Sequence, residues 1–385
     1  MATTKVGRET TYTGALVKVR ALENVISLIA REETPTLDIV GFGSYPEGPV
    51  TNTKFEWLED ELIPYKDAIN ETNGIGSTDT TFAVDHAAYF VLGAILKVED
   101  ELMWVTGIDP SNNELHVVRG YAGTTAANHA NDTEVKMVGI ARVEGSSPGV
   151  ARQVVTTQPW NTVQIFSDVV EITGSEAAMR EYGVEDVLNY RMDKRMREMK
   201  ILIELSLLHG KRYLPSDNTT ARTSGGLDQF VTDADDWGTG QVLYTDIRDA
   251  FKNAYDRVGA AHQPDTLIMN STNKQALTAE FVYQGDPSTA QYRPVRSDRA
   301  ERIAGGTITR LEFDFGVLDI VLDHLLGDNL VWLINSEYVM STWLRGRELG
   351  EFDATIPGVD HTRRRVLGEL GWVVKNEKCH VKLYT

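Results

Sequence analysis

The chain has 385 residues, 42% of them hydrophobic and 24% charged, a composition that excludes a collagen-like fibre or a disordered polymer. A chain of this length holds more than one domain. Its 38 Lys and Arg against 56 Asp and Glu give a net charge of −18, which repels phosphate backbones, excludes tight non-specific binding of free nucleic acid and favours solubility.

Residues 1–50 are polar and broken by Pro35, Gly41, Gly43, Pro46, Gly48 and Pro49, with short apolar stretches such as Val25–Ile29. They read as an extended arm with one short helical turn, ordered by the rest of the chain or by a neighbour. From residue 51 to about 170, β-formers and turn signals dominate. Thr51–Leu58 alternates polar with apolar at its end, as a half-exposed strand does. Glu101–Thr106 and Leu115–Arg119 flank the turn residues Asp109–Asn113 and predict a hairpin within a β-rich insertion at about 77–141. After the Gly145–Gly149 link, Val154–Thr157 and Val163–Phe166 resume extended structure. One strand goes out and another returns.

A helical pattern opens at Ser175, read as the N-cap, and runs to Gly210, interrupted by Gly183. Val184, Val187, Leu188, Met192, Met196, Met199, Leu202, Ile203 and Leu205 recur at helical spacing and predict a buried stripe. At 1.5 Å per residue the segment would span roughly 50 Å. Asp193 with Arg197, and Lys194 with Glu198, are spaced as surface ion pairs. Residues 215–241 read as loop. Beyond them come a helix near Asp246–Val258, a strand at Thr266–Met269 and a helix opening at Ser271. Strands follow near Leu311–Phe315, Asp319–Leu322 and Val331–Ile334, with extended segments at Trp372–Lys375 and His380–Leu383. Strands are grouped rather than alternating with helices, so the fold class is α+β.

No motif supplies an active site. Gly41-Phe42-Gly43-Ser44-Tyr45-Pro46 lacks the third glycine of a phosphate loop and has Pro46 where the helix would begin. His86, His116 and His129, near Asp132, are too loosely spaced for a metal site and read as turn and surface residues. Glu56, Glu59, Asp60 and Glu61 could furnish glycosidase carboxylates but read as a solvated face. No catalysis, cofactor or metal is therefore expected. The lone cysteine, Cys379, permits no intrachain disulfide. No apolar run of about 18 residues spans a bilayer, and Met1–Lys5 does not open a secretory signal; membrane contact is not expected, and synthesis in a cytoplasm is. Arg363-Arg364-Arg365 stands out in an acidic chain and reads as touching a neighbour or solvent in preference to DNA. Trp57 and Trp160 are candidate exposed contact anchors, with burial in the chain's own core the alternative.

The order of arm, two-stranded excursion, long helix, mixed body and late returning strand resembles the Hong Kong 97-type capsid fold. Asn52–Leu62 looks like the outgoing E-loop strand of the SU-ten-type family of phage major capsid proteins. Arg119–Ala127 resembles a β-insert of that family, and Thr223–Leu227 the glycine-bearing loop after its spine helix. The resemblance implies an N-arm at 1–50, an E-loop excursion at 51–172 carrying the β-rich insertion, and a peripheral domain with the spine helix at 173–261. An axial domain at about 262–350 and a return to the peripheral domain at 351–385 complete it. It further implies a virion subunit made in the host cytoplasm, forming hexamers and pentamers of an icosahedral shell around double-stranded DNA. Portal, a separate scaffolding protein and, where present, a cement protein are the implied partners. Lys54, Glu56, Trp57, Trp160, Arg363, Arg364 and Arg365 are the candidate inter-subunit contacts. Lys54 lies in the region where relatives of the fold form Lys–Asn cross-links, but no partner can be placed and cross-linking is not predicted. A decoration or tail protein, an encapsulin-type shell and a carbohydrate-active hydrolase remain the alternatives.

Overall fold

The computed structural model describes residues 34–146, 156–179, 186–238, 240–283 and 309–385. The chain divides into two compact units, one of Trp57–Pro159 and one of Met1–Glu56 with Trp160–Thr385. In chain order, α1 (Pro35–Val40) and β1 (Lys54–Glu56) precede the strands of the smaller unit. These are β2 (Lys66–Ala68), β3 (Thr81–Ala83), β4 (Ala94–Val98), β5 (Glu101–Asp109), β6 (Glu114–Val118) and β7 (Glu134–Ile140). The larger unit resumes with β8 (Trp160–Thr162), β9 (Gln164–Thr173), α2 (Gly174–Ala178), α3 (Val187–His209) and α4 (Leu227–Phe230). There follow β10 (Ala234–Asp236), α5 (Tyr244–Val258), β11 (Thr266–Met269), α6 (Ser271–Tyr283), β12 (Arg310–Phe313) and β13 (Gly316–Leu322). The chain ends with β14 (Leu330–Ile334), β15 (Val339–Trp343), β16 (Gly350–Asp353), β17 (His361–Val374) and β18 (Val381–Tyr384).

The larger unit is built on a mixed six-stranded sheet ordered β10-β18-β14-β11-β13-β12. β14 is apolar at every position and β11 at all but Thr266, and successive side chains feed two different cores. Leu267, Met269, Val331 and Leu333 pack with Ile247, Phe251 and Ala254 of α5 and Leu277 of α6. Ile268, Trp332 and Ile334 belong to the core that includes Met199, Ile203 and Leu207 of α3. Both faces are buried, which accounts for a run such as Leu-Val-Trp-Leu-Ile in β14.

The long helix begins later than the sequence pattern suggests. Asp186 caps α3, accepting from the Asn189 N–H at 3.1 Å, and the helix has 23 residues, about 35 Å at 1.5 Å each. Thr173, not Ser175, caps the short α2 by accepting from the Glu176 N–H. The expected Val184 and Gly183 lie outside the described residues. Leu188, Met192, Met199 and Ile203 are buried as the stripe requires, whereas Leu202 is exposed because Met199, Ile203 and Leu207 define the buried line. Glu198 is held by Arg195, three residues earlier, at 2.6 Å, in place of the expected pairing with Lys194.

A second sheet is organised by β17, which pairs with β9 over ten positions, from His361 opposite Thr173 to Leu370 opposite Gln164. β15 and β16 also pair with β17. Its 14 residues extend well before the segment expected at Trp372–Lys375, and β15 was not foreseen. Gly368 and Gly371 break the strand pattern in sequence, yet both are sites of close packing. A Cβ on Gly371 would lie 2.6 Å from the Phe55 ring, and one on Gly368 3.0 Å from the Leu349 Cα.

Residues 34–50 dock on this unit. Thr36, Leu37 and Val40 of α1 are buried. The N–H groups of Tyr45 and Val50 donate to the carbonyls of Ser341 and Trp343 at 3.0 and 2.8 Å.

The smaller unit is an antiparallel six-stranded sheet, ordered β2-β7-β4-β5-β6-β3. The predicted hairpin is present as β5–β6, with Asn113 at φ 54° in its turn. Phe82, Leu96, Val98, Met103, Val105, Leu115, Val117 and Val135 form one core from one face. The class is α+β, as the grouping of strands implies.

Candidate assembly surfaces

Position 119 anchors the loop that follows β6. Arg119 grips the buried Glu101 through Nε and Nη2, both at 2.8 Å, and donates to the carbonyls of Gly76, Asp79 and Ala127 at 2.6, 3.0 and 2.6 Å. Glu101 also accepts from the N–H groups of Gly120 and Ala127, each at 3.0 Å. Burial acts to raise the pKa of Glu101, but bonds from Arg119, the Ala127 N–H, His129 and the Gly120 N–H outweigh it and hold the pKa at about 2. His129 is only 4% exposed, with Nδ1 2.8 Å from Glu99 and Nε2 2.9 Å from Glu101. That corrects its reading as a surface residue: the loop backbone is polar, but the imidazole turns inward to the carboxylates. His86 and His116 are exposed, bonded to Asp67 and Thr81. Among the described residues no trio of His, Cys, Asp or Glu is placed to hold a metal ion.

The opposite face of this sheet points outward and is patterned. Lys66 stands opposite Lys136, and Lys136 opposite Lys97, a row of three cations across β2, β7 and β4. Like charges directly opposite one another are unfavourable in an isolated sheet. The Tyr65 ring softens the cost, with the ammoniums of Lys66 and Lys136 at 5.9 and 5.7 Å, and Glu134 pairs with Lys66 at 2.9 Å. The next row is apolar: Ile95 opposite Trp104, and Trp104 opposite Val118. Tyr121 stacks on Trp104 at 6.2 Å, and Val118 and Val138 are 45% and 49% exposed. An apolar centre with a charged margin is the anatomy of an interface. The sequence reading missed it because residues 66, 97 and 136 are brought together only by strand order.

The expected contact residues fare differently. β1 and β8 pair antiparallel, with Lys54 opposite Thr162 and Glu56 opposite Trp160. Lys54 pairs with Glu56, and its ammonium lies 4.9 Å from the Trp160 ring centre; the Arg212 guanidinium lies 3.8 Å from it. Trp160 is thus half-buried between in-chain cations. Trp57 is 5% exposed, with Nε1 donating to Glu59 at 2.7 Å, so of the two readings open for it, exposed anchor or buried side chain, the buried one holds. The three arginines occupy β17 with partners in the same chain. Arg363 approaches Glu171 at 3.8 Å, Arg364 binds Glu351 at 2.6 Å and Asn189 at 3.0 Å, and Arg365 donates to the Ser167 hydroxyl at 2.6 Å. Phe352 in β16, and Ile356 and Val359 beyond it, have exposed side chains.

An open cleft of about 430 Å³ lies between β9 and α3, lined by Val169, Glu171, Arg191, Lys194, Arg195 and Glu198 among others. Arg191 is tied to Glu176 at 2.5 Å and Arg195 to Asp168 at 3.5 Å. Its charges serve to neutralise one another. Among the described residues no helix is long and apolar enough to cross a membrane.

The model of the SU10 major capsid protein family matches residues 3–385. The chain belongs to that family. It is a major capsid protein of a tailed phage, a structural component of the virion that assembles into capsid shells. Solved structures agree on the fold. The capsid protein of an empty GTA particle is 10% identical, with a TM-score of 0.53 and 97% of each chain covered. That of the native GTA particle is 12% identical, with a TM-score of 0.51 and the same coverage. The capsid of Myoviridae phage XM1 is 10% identical, with a TM-score of 0.50, covering 95% of this chain and 96% of that one. The α+β architecture is therefore the Hong Kong 97-type capsid fold. Comparison with curated proteins returned no match.

Proposed function

We propose that this major capsid protein forms the hexamers and pentamers of an icosahedral shell enclosing double-stranded DNA, and that it does so without catalysis. The observation that carries the reading is the outward face of the smaller unit's sheet. A chain of net charge −18 concentrates Lys66, Lys97 and Lys136 in one row beside half-buried Ile95 and Trp104 and exposed Val118. That face complements an acidic neighbour of its own kind better than it complements water.

Within this reading, residues 1–50 are the N-arm and 51–172 the E-loop excursion, with the β-rich insertion at about 77–141. Residues 173–261 form the peripheral domain, 262–350 the axial domain, and 351–385 return to the peripheral domain. The antiparallel pairing of β1 with β8, and of β9 with β17, supports that division. Lys54, Glu56 and Trp160, together with Arg363, Arg364 and Arg365, act as inter-subunit contacts held in position by their in-chain partners, whereas Trp57 acts from inside its own unit. Portal, a separate scaffolding protein and, where present, a cement protein are the partners, DNA is enclosed without sequence reading, and the chain is made in the host cytoplasm.

Negative-stain electron microscopy of the full recombinant chain, with and without a candidate scaffold and across protein and salt concentration, tests this. Closed polyhedral shells or rings of five and six subunits are expected. Small symmetric oligomers alone under every condition would overturn it.

A further inference from the structure

Two fully buried acids, Glu204 on α3 and Asp323 just after β13, meet at the start of α1. Oε1 of Glu204 accepts from the N–H groups of Thr36 at 2.7 Å and Leu37 at 3.3 Å. The Thr36 hydroxyl donates to Oδ2 of Asp323 at 2.7 Å, and Oδ1 of Asp323 accepts from the Leu325 N–H at 2.8 Å. Thr34, the N-cap residue of α1, makes no side-chain cap bond. Two orphan N–H groups of the first turn are therefore satisfied by one carboxyl group remote in sequence, that of Glu204.

Oε2 of Glu204 is buried and meets no protein donor. A bare oxygen there, beside a second carboxylate, is repulsive; a proton on it turns the repulsion into a hydrogen bond to Asp323. Burial first, and the Asp323 charge second, push the pKa of Glu204 up to about 8. Asp323 is the charged group facing Glu204. Asp38 on α1, Lys200 on α3 and His324 beside Asp323 are exposed, and β15, which also packs on α1, carries no charged side chain.

We propose that Glu204, Asp323 and Thr36 form a one-proton latch that fixes residues 34–40 to the body of the larger unit, and that loss of the proton to solvent base releases that segment. When the Oε2–H bond breaks, two carboxylates share a closed pocket, and water must enter to solvate them. The element that yields is α1, with six residues, because the others are a 23-residue helix and a six-stranded sheet. The device is internal to one chain and does not rest on the shell reading.

The sign follows from linkage. Glu204 is protonated in the latched state up to about pH 8, but on release it returns toward an ordinary carboxylate value near 4.3. Latching is strongest below the lower value and is lost as pH rises through the upper one. Opening should become about tenfold more favourable per pH unit between those limits and level off above them.

Hydrogen–deuterium exchange of the full chain, read as protection factors of the Thr36–Val40 amides corrected for intrinsic rates, is the test. Protection in the wild type should fall about tenfold per pH unit from pH 6 to 8 and then plateau. Glu204→Gln, which keeps a neutral donor and acceptor, should flatten the profile. Asp323→Asn, which removes the second charge, should move the plateau to lower pH. A flat wild-type profile overturns the latch, as does an unchanged slope in Glu204→Gln. If Glu204→Gln does not fold, an unmoved plateau in Asp323→Asn overturns it.

Discussion

The two sheets spend their apolar surface differently. In the larger unit the central strands are covered on both faces, and β14 has every residue buried. In the smaller unit one face of the sheet closes over a single core, while the other leaves Val118 and Val138 about half exposed. Both are stable arrangements, since an antiparallel sheet tolerates one wet face and a mixed sheet with apolar central strands does not. The difference locates where folding ends and assembly begins. Substitutions in the two-sided sheet should act on folding, and those on the outward face should act on association.

The largest effects should come from buried anchors. Trp332 in β14 is fully buried, and Trp332→Ala should cost about 3–5 kcal/mol. In the smaller unit, Arg119→Met should cost a similar 3–5 kcal/mol or so, because it strands the buried Glu101 charge without its guanidinium. Urea titration of the full chain, followed by hydrogen exchange of β11 and β14 amides for one unit and of β5 and β6 amides for the other, separates the two. Should either variant unfold both units together, the division of stability between them fails.

Next in size is a pH effect confined to the larger unit. His380 is buried, its Nδ1 accepting from the Asn335 N–H at 3.1 Å and its Nε2 donating to the Lys375 carbonyl at 3.2 Å. Burial pushes its pKa down to about 4. The unfolded chain therefore binds a proton near pH 6.5 that the folded chain refuses, and stability falls as pH drops from about 6.5 to 4, by up to about 3 kcal/mol. Below that range this contribution is constant. Glu101 gives the smaller unit a lower window. Its pKa is held at about 2, so its contribution is present above the ordinary carboxylate range and lost as pH falls toward that value. Acid titration should thus loosen β14 and β18 amides before those around β5; the reverse order would contradict both assignments.

Much of this division was legible in the sequence. Leu267–Met269 and Val331–Ile334 are continuous apolar runs, as strands buried on two faces must be, and the β5–β6 hairpin announced itself through its Asp-Pro-Ser-Asn-Asn turn. The start of α3 was misplaced because Ser175 offers the same capping chemistry as Asp186, and only packing chooses between them. β17 was half missed because three arginines and two glycines disguise a strand whose neighbours supply acids and close contacts. The paired carboxyls Glu204 and Asp323, and the row of Lys66, Lys97 and Lys136, are products of topology. No local pattern encodes them.

The smallest effect on folding should carry the clearest consequence for assembly. Lys97→Glu with Lys136→Glu replaces repulsive cross-strand neighbours on an exposed face, so stability should change by no more than about 0.5 kcal/mol. Ile95→Thr, on the adjacent row, keeps a β-branched side chain and should cost less than about 1 kcal/mol. If the outward face meets an acidic neighbour, the double charge reversal should abolish ring and shell formation in electron micrographs, and Ile95→Thr should raise the concentration at which particles form. Salt should affect the two unequally, because screening weakens the lysine contacts far more than the apolar row. Normal shells from the charge-reversed chain would move the contact surface elsewhere and leave the exposed face without a role in assembly.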